Sequence, residues 1–282
     1  MAFGNNPNMP AQKVFIQNRK TQKIAVVVEV PAQIFDSQKF QSGKLAFVMH
    51  GLSGFKEQPH LQTIAAAFLE RGYTVVRFDT TNTFGESEGD YENATVTNYY
   101  EDLEDVIAWS KGQPWYQEPF VLSGHSLGGI CVGLYAEKYP EKVKALAPIS
   151  TVVSGELTLK NSYKQGINEE WRRTGWKEEQ SISKPGVVKR LPWSHMEDRL
   201  QYDLLKNVQN LTMPVLLVVG EKDESTPVEH QKILYDALPG TKELNIIPGA
   251  LHTFREAAHL AELKQIIQQW LVKIDILPVA RL

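Results

Sequence analysis

The stretch PFVLSGHSLGG, residues 119–129, joins an apolar run to a cluster of glycines around a single serine. Its centre, residues 124–128, fits the G-x-S-x-G pattern of a nucleophile elbow, a tight turn between a strand and a helix that exposes a serine oxygen. Residues 120–122 predict the strand, and an apolar helix is predicted directly after Ser126. The flanking Gly124 and Gly128 suit a turn in which strand and helix crowd together. The pattern therefore predicts that Ser126 is a nucleophile.

The same five-position pattern occurs a second time, at residues 85–89 with the sequence GESEG. No strand leads directly into Ser87, and no apolar helix follows it. Glu86 and Glu88 would oppose the negative charge that develops on an attacked carbonyl. We therefore predict that Ser87 lies in a polar loop with glycine turns.

The pattern of apolar runs on both sides of the elbow predicts the fold. Short Val/Ile/Leu-rich runs alternate with stretches of three- and four-residue apolar spacing, which favours a mostly parallel α/β sheet with helices on both faces. The predicted strands are Lys13–Gln17, Ile24–Val30, Leu45–His50, Thr74–Phe78, Phe120–Ser123, Val143–Pro148, Val215–Gly220 and Glu243–Ile247. Predicted helices begin near Pro59, Val96 and Ser126, and a last one carries apolar residues from Leu263 to Ile274.

Residues 151 to about 205 interrupt this alternation, since they contain no convincing strand. They keep large apolar side chains among many charges, which is more typical of a folded insertion than of a disordered one. We expect one domain over residues 1–282 with a helical cap or lid insertion here. Its tryptophans, Trp171, Trp176 and Trp193, are expected to form either an apolar wall for a ligand or the core of the lid.

The composition excludes several classes of protein. The chain has 282 residues, 42% hydrophobic and 22% charged, with a net charge of −3. Since phosphate backbones bind clustered Lys and Arg, this balance disfavours a nucleic-acid partner. No apolar run approaches the roughly 20 residues of a membrane span, and the start has no basic segment followed by an apolar one. The single cysteine, Cys131, is expected to pack in a helix core, and a reducing cytoplasm is the simplest location.

A serine nucleophile needs a base, and His252 is the best placed of the seven histidines. It follows the predicted strand Glu243–Ile247 and precedes the last helix, at the edge where parallel sheets present functional groups. His125 is expected to point away from Ser126, and His50 to shape a loop. A surface position or core packing is expected for the remaining four: His60, His195, His230 and His259.

The acid that orients His252 is expected after a strand that lies between Ser126 and His252 in the chain. The stretch LLVVGEKDESTP offers three carboxylates directly after such a strand. Asp223 is the first choice because the following Ser-Thr-Pro suggests a tight turn that would hold a short side chain. Glu221 and Glu224 remain alternatives.

An attacked carbonyl also needs two N–H donors for its developing negative charge, a so-called oxyanion hole. The backbone N–H of Leu127, directly after the nucleophile, is one candidate. The loop HGLSG, residues 50–54, follows the third predicted strand and can turn its amides inward at its glycines. We expect Leu52 to supply the second donor.

These motifs occur in the order HGLSG, RFDT…GESEG, GHSLGG, GEKDESTP and GALHTF. Together they resemble the α/β-hydrolase superfamily over residues 40–275. The HGLSGFK and GDYENATV stretches are similar to cinnamoyl (feruloyl) esterase-like serine hydrolases, with a related likeness to prolyl-oligopeptidase-type and acylglycerol-lipase members. The resemblance implies an eight-stranded sheet, a lid over an acyl pocket, and Leu52 and Leu127 as the oxyanion donors.

The sequence thus predicts a serine hydrolase that cleaves small-molecule carboxylic esters, with Ser126, His252 and Asp223 as the triad. Neither a metal nor an organic cofactor is expected, because the side chains and water suffice. The same apparatus serves thioesters, peptides or carbon–carbon bonds, so these stay open. A ligand-binding receptor that retains the pocket, or a subunit that acts through surface contact, are the alternatives from other classes.

Overall fold

The computed structural model describes residues 11–31, 43–164, 166, 168–181 and 184–276. The first ten residues, where no signal peptide is predicted, lie outside this range. Ten strands occur in the described residues: β1 Ala11–Gln17, β2 Lys23–Glu29, β3 Leu45–Met49, β4 Thr74–Phe78, β5 Phe120–His125, β6 Val143–Ile149, β7 Trp176–Gln180, β8 Val188–Pro192, β9 Val215–Gly220 and β10 Lys242–Ile247. The helices there are α1 Pro59–Glu70, α2 Val96–Ser110, α3 Leu127–Lys138, α4 Gly155–Lys164, α5 Asn168–Thr174, α6 Ser194–Arg199, α7 Val228–Ala237 and α8 Ala257–Asp275.

Eight strands form one sheet in the order β1-β2-β4-β3-β5-β6-β9-β10. The pairs β1–β2 and β2–β4 are antiparallel, and the remaining neighbours are parallel. All eight predicted strands are members of this sheet. The prediction of a mostly parallel eight-stranded α/β sheet is therefore confirmed.

Both faces of the sheet are covered, and the burial of the side chains along a single strand shows this. Along β3, Leu45, Phe47 and Met49 join one buried cluster, whereas Ala46 and Val48 join the other. Successive side chains of a strand point to opposite faces, so a strand with two buried faces is apolar throughout. Helices α2 and α3 supply residues to the first cluster, and α1 and α8 to the second.

The expectation of no strand in residues 151–205 is wrong. Strands β7 and β8 pair there as an antiparallel hairpin, Trp176 opposite Pro192. Most of β7 is exposed, with the sequence WKEEQ, so the apolar signal that marks a buried strand is missing. Cross-strand ion pairs hold the hairpin instead, such as Glu179 with Lys189 and Glu178 with Arg190.

No helix in the described part of the chain has both the length and the hydropathy of a membrane-spanning segment. The parallel strands β3, β5, β6 and β9 end at one edge of the sheet, where their connecting loops meet. The loops after β3, β5, β9 and β10 carry the residues that the sequence analysis selected. This edge is therefore where a site is expected.

Candidate active site

Ser126 occupies a strained turn between β5, which ends at His125, and α3, which begins at Leu127. Its φ angle of 56° lies in the left-handed region, which non-glycine residues rarely adopt. Three backbone hydrogen bonds hold it there. Its N–H donates to the carbonyl of Ile149 (3.0 Å), and its own carbonyl accepts from Gly129 (3.0 Å) and Val152 (3.1 Å). Such strain persists where the surroundings over-determine the backbone, which is typical of functional sites.

The two glycines of the elbow are required by close backbone contacts. A Cβ atom at Gly128 would lie 2.4 Å from the carbonyl oxygen of His50, and one at Gly124 would lie 2.3 Å from that of Gly128. Helix α3 thereby lies directly against the end of β3. The G-x-S-x-G pattern therefore has a steric cause here.

The structure brings Ser126, His252 and Asp223 into one chain of hydrogen bonds. His252 Nε2 lies 3.0 Å from Ser126 Oγ. On the other side of the ring, Nδ1 lies 2.8 Å from Asp223 Oδ2. Because a carboxylate accepts, Nδ1 carries the proton in the neutral imidazole and Nε2 is left to accept from the serine hydroxyl.

The turn after Asp223 holds its carboxylate. The backbone N–H groups of Ser225 and Thr226 each donate to Oδ1 at 2.9 Å. Burial alone would raise the pKa of Asp223, but the charge of His252 and the hydrogen bonds from His252 and Thr226 bring it below its usual range. Of the three candidate acids, only Asp223 is within hydrogen-bonding distance of His252 among the described residues, and Glu221 instead accepts from the Gly249 N–H at 2.7 Å.

The loop of residues 50–54 lies beside Ser126. A Cβ atom at Gly51 would lie 2.8 Å from Ser126 Cβ. His50 is buried and shapes this loop: it accepts the Thr80 N–H at Nε2 (3.0 Å) and donates from Nδ1 to the Gly51 carbonyl (2.8 Å). Neither the Leu52 nor the Leu127 backbone N–H has a hydrogen-bond acceptor within the described ranges. Both donors are therefore free for a ligand.

His125 has a contact that the sequence analysis missed. Its Nε2 donates to the carbonyl oxygen of His252 at 2.8 Å, and its ring lies 4.7 Å from that of His252 and 4.3 Å from that of His60. Burial, and then the charge of His252, lower the pKa of His125 to about 3. Burial likewise lowers the pKa of His60 well below its usual value. Both rings are therefore neutral near pH 7.

The second pattern, GESEG, surrounds a buried ion pair between Lys56 and Asp79. Lys56 Nζ lies 2.7 Å from Asp79 Oδ2, and both side chains are fully buried. Ser87 Oγ donates to the Asp79 carbonyl (2.7 Å), which gives this serine a structural role. The pair ties the loop after β3 to the loop after β4. Asp79 directly follows Phe78, the last residue of a buried strand. A charged residue at such a position is the sequence signal that could have indicated this ion pair.

A cavity of about 810 Å³ opens over Ser126 and His252. Residues of the segment 151–205 form part of its wall, among them Thr158, Lys177, Leu191 and Arg199. The three tryptophans of that segment are not among its lining residues. Trp171 is buried, packs edge-on against Trp193 (5.3 Å between rings) and donates from Nε1 to the Leu191 carbonyl. Of the two roles expected for the tryptophans, the structure favours a packing role for this pair.

Two family models match the chain. The model described as X-Pro dipeptidyl-peptidase (S15 family) matches residues 52–202, which is more than half of the sequence. The model described as Serine aminopeptidase, S33, matches residues 176–256. The two matches together include Ser126, Asp223 and His252.

Three known proteins illustrate the similarity. An uncharacterized 31.7 kDa protein of Escherichia coli, from the traX-finO intergenic region, is 28% identical over 81% of this chain and 90% of its own length. Palmitoyl-protein thioesterase ABHD10 of Bos taurus mitochondria is 27% identical over 72% of this chain and 65% of its own. The structure of Est1E from Butyrivibrio proteoclasticus with bound ferulic acid has a TM-score of 0.74 and 21% identity, over 93% of this chain and 99% of that one. This last likeness shows a shared fold.

Proposed function

This chain belongs to the α/β-hydrolase superfamily, in the family described as X-Pro dipeptidyl-peptidase (S15 family), and we propose that it is a serine hydrolase that cleaves carboxylic esters. One observation carries the proposal. The hydrogen-bonded chain from Ser126 Oγ through the His252 ring to Asp223 Oδ2 has both of its distances at or below 3.0 Å. A hydroxyl in this arrangement can lose its proton as it attacks a carbonyl carbon.

In the proposed reaction, Ser126 Oγ forms a bond to the ester carbonyl carbon while His252 Nε2 takes the hydroxyl proton. The backbone N–H groups of Leu52 and Leu127 hold the resulting oxyanion, and each such donor contributes about 3 kcal/mol in comparable sites. The carbon–oxygen bond to the alcohol then breaks, and His252 gives its proton to the departing oxygen. A water molecule then attacks the acyl-enzyme carbonyl and gives its proton to His252. The bond to Ser126 Oγ breaks, His252 returns the proton to the serine, and the acid is released.

Asp223 has a supporting role in this proposal. It holds the His252 tautomer that presents Nε2 to the serine, and its negative charge stabilises the imidazolium that forms during attack. The low pKa of its carboxyl keeps that charge present at neutral pH. No metal or organic cofactor takes part in these steps.

We also propose that residues 151–205 act as a cap within a single domain of residues 1–282. Supporting this, the segment supplies side chains to the wall of the same cavity that Ser126 and His252 line. The cavity is large enough for a small-molecule ester, the partner expected from the sequence. A cytoplasmic location remains a prediction from the cysteine content.

Thioester hydrolysis is the second candidate. It is supported by the similarity to a protein named palmitoyl-protein thioesterase. The proposed chemistry is the same up to the leaving group, since a thiol leaves in place of an alcohol. A comparison of kcat/KM for matched oxygen and sulfur esters decides between the two.

The cavity offers less support for cleavage of peptides from a free N-terminus, the activity in the name of the matched family model. A substrate ammonium group calls for an available carboxylate, and Glu179 is the only one among the described lining residues. Glu179 is already paired with Lys177 (2.5 Å) and Lys189 (3.1 Å). It is therefore a poor ligand for a further cation.

The test is hydrolysis of p-nitrophenyl esters by the native protein, by Ser126→Ala and by Ser87→Ala, with fluorophosphonate labelling of each. We expect Ser126→Ala to lose turnover by about 10³-fold or more and to lose labelling. Ser87→Ala is the matched control from the second G-x-S-x-G pattern and should keep both. Full turnover in Ser126→Ala contradicts the proposal, and a native protein that is neither active nor labelled supports a receptor instead.

A further inference from the structure

Arg199 is a buried cation in the wall of the cavity. It is the last residue of α6 and lines the same space as Ser126 and His252. Only 9% of its surface is exposed. Arginine is rarely buried without a carboxylate partner, because the charge loses its hydration.

The hydrogen-bond partner of Arg199 does not neutralise it. Its Nη2 donates to His195 Nε2 at 2.7 Å, while His195 Nδ1 donates to the Ala94 carbonyl at 2.7 Å. Nε2 accepts, so the imidazole is neutral, in agreement with a pKa that burial and then the charge of Arg199 lower to about 3. His195 therefore orients the guanidinium and leaves its charge uncompensated.

Within the described residues, Arg199 forms no ion pair, and its Nε atom is buried without an acceptor. The neighbouring Asp198 is already occupied at the start of α2, where it accepts from the N–H groups of Val96 (2.7 Å) and Thr97 (3.2 Å). Burial lowers the pKa of Arg199 only to about 10, so the group is still charged at neutral pH.

The other charges of the cavity reinforce the positive sign. Among its described lining residues, four side chains are cationic and one is a carboxylate: Lys177, Lys189, Arg199 and Arg255 against Glu179. Glu179 is shared between the two lysines. Arg255 is exposed at the rim and donates to Thr253 Oγ1 at 2.9 Å. An anion that enters the cavity therefore meets a positive field, with Arg199 as its unpaired buried cation.

We propose that Arg199 binds a carboxylate carried by the substrate, so that the preferred esters are those with an anionic group in the acid or the alcohol part. This inference rests on the proposed ester hydrolysis. A planar guanidinium pairs with a carboxylate through two parallel hydrogen bonds, which an ammonium cannot reproduce. Arg199 is thus a specificity-determining residue.

The experiment compares two matched pairs of esters. In the first pair, the p-nitrophenyl monoester of adipic acid is set against its neutral isostere, in which an isopropyl group replaces the carboxylate. In the second, aryl acetates carry a para-carboxylate or a para-isopropyl group. We expect the native protein to prefer the anionic member of at least one pair in kcat/KM. In Arg199→Met the ratio of anionic to neutral kcat/KM should fall by about tenfold or more, and Arg199→Lys should restore part of it.

The matched control is Arg173→Met, which removes an exposed arginine of α5 that does not line the cavity. Its substrate ratio should equal that of the native protein. A native preference for the neutral member of both pairs overturns the inference. So does an Arg199→Met variant that keeps the native ratio, because a merely structural arginine would affect both esters alike.

A binding measurement decides the matter without turnover. Calorimetry of the native protein should show tighter binding of adipate than of the uncharged adipamide, and Arg199→Met should lose the difference. Equal binding of the two compounds to the native protein overturns the inference even if Arg199→Met fails to fold. Absence of any esterase activity or Ser126 labelling, together with selective adipate binding, would reject the proposed reaction and leave the carboxylate site standing.

Discussion

His125 Nε2 donates a hydrogen bond of 2.8 Å to the backbone carbonyl of His252, so the residue beside the proposed nucleophile holds the backbone of the proposed base. The two residues are 127 positions apart in the chain. The contact links the loop after β10 to the elbow after β5. The hydrogen bond restrains the backbone of His252, and with it the position of the imidazole relative to Ser126.

His125→Phe tests this link, since it keeps an aromatic ring and removes the donor. The carbonyl of His252 would be left unpaired, a cost of about 1–3 kcal/mol. We expect kcat on p-nitrophenyl esters to fall about tenfold with a smaller change in KM. His125→Gln, whose amide can donate in the same direction, should recover most of kcat. Equal losses in both variants would show that the hydrogen bond is not what matters.

Asp223→Asn tests the choice of acid. The asparagine amide carries no negative charge to stabilise the imidazolium. It also favours the His252 tautomer whose proton is on Nε2, facing Ser126. We expect kcat to fall by about 10³–10⁴-fold with the fold retained, measured by ester hydrolysis and circular dichroism. Glu221→Gln is the control, and it should stay close to the native rate. A larger loss in Glu221→Gln than in Asp223→Asn would reassign the acid.

Lys56→Met tests the buried ion pair that ties the loop after β3 to the loop after β4. The change leaves Asp79 as an unpaired buried charge, which we expect to cost about 3–5 kcal/mol of unfolding free energy. Denaturant unfolding measures it. Lys13→Met is the matched control, because Lys13 also pairs with Glu86, at 2.7 Å, but is half exposed. Exposed pairs contribute about 0–1 kcal/mol. Similar losses in the two variants would contradict the role of burial.

Because Glu137 is buried, we expect the free energy of unfolding to depend on pH. This residue is 6% exposed on α3, and burial, with a smaller contribution from the charge of Asp203, raises the pKa of its carboxyl from 4.5 to about 8. Between these values the folded protein binds a proton that the unfolded chain has released. The contribution of Glu137 to stability therefore falls as pH rises from 4.5 to about 8 and is constant above that.

Glu137→Gln removes this titration. Its Tm should exceed that of the native protein by about 3 °C or more near pH 9, and the gap should shrink toward pH 5. Glu141→Gln, an exposed carboxylate just beyond the same helix, is the control and should show no such trend. A gap for Glu137→Gln that is independent of pH would show that the carboxyl titrates normally in the folded state.

The eight strands of the main sheet could be predicted from the sequence alone, and so could the three residues Ser126, His252 and Asp223 whose side chains form one chain of hydrogen bonds in the structure. These features have a local cause. A strand buried on two faces must be apolar throughout, as β3 is, and a crowded turn between strand and helix admits only small neighbours such as Gly124 and Gly128. Such requirements leave their mark on consecutive residues.

Four features emerged only once the chain had folded: the hairpin of β7 and β8, the hydrogen bond from His125 to His252, the Lys56–Asp79 pair and the unpaired Arg199 in the cavity. The hairpin is held by charged side chains across two exposed strands, a pattern that any solvated loop also shows. The other three depend on groups that are distant in the chain and become close only after the core has packed. Whether a cation such as Arg199 is solvated, paired or left alone is decided by that packing, because burial removes the water that would otherwise surround every charge equally.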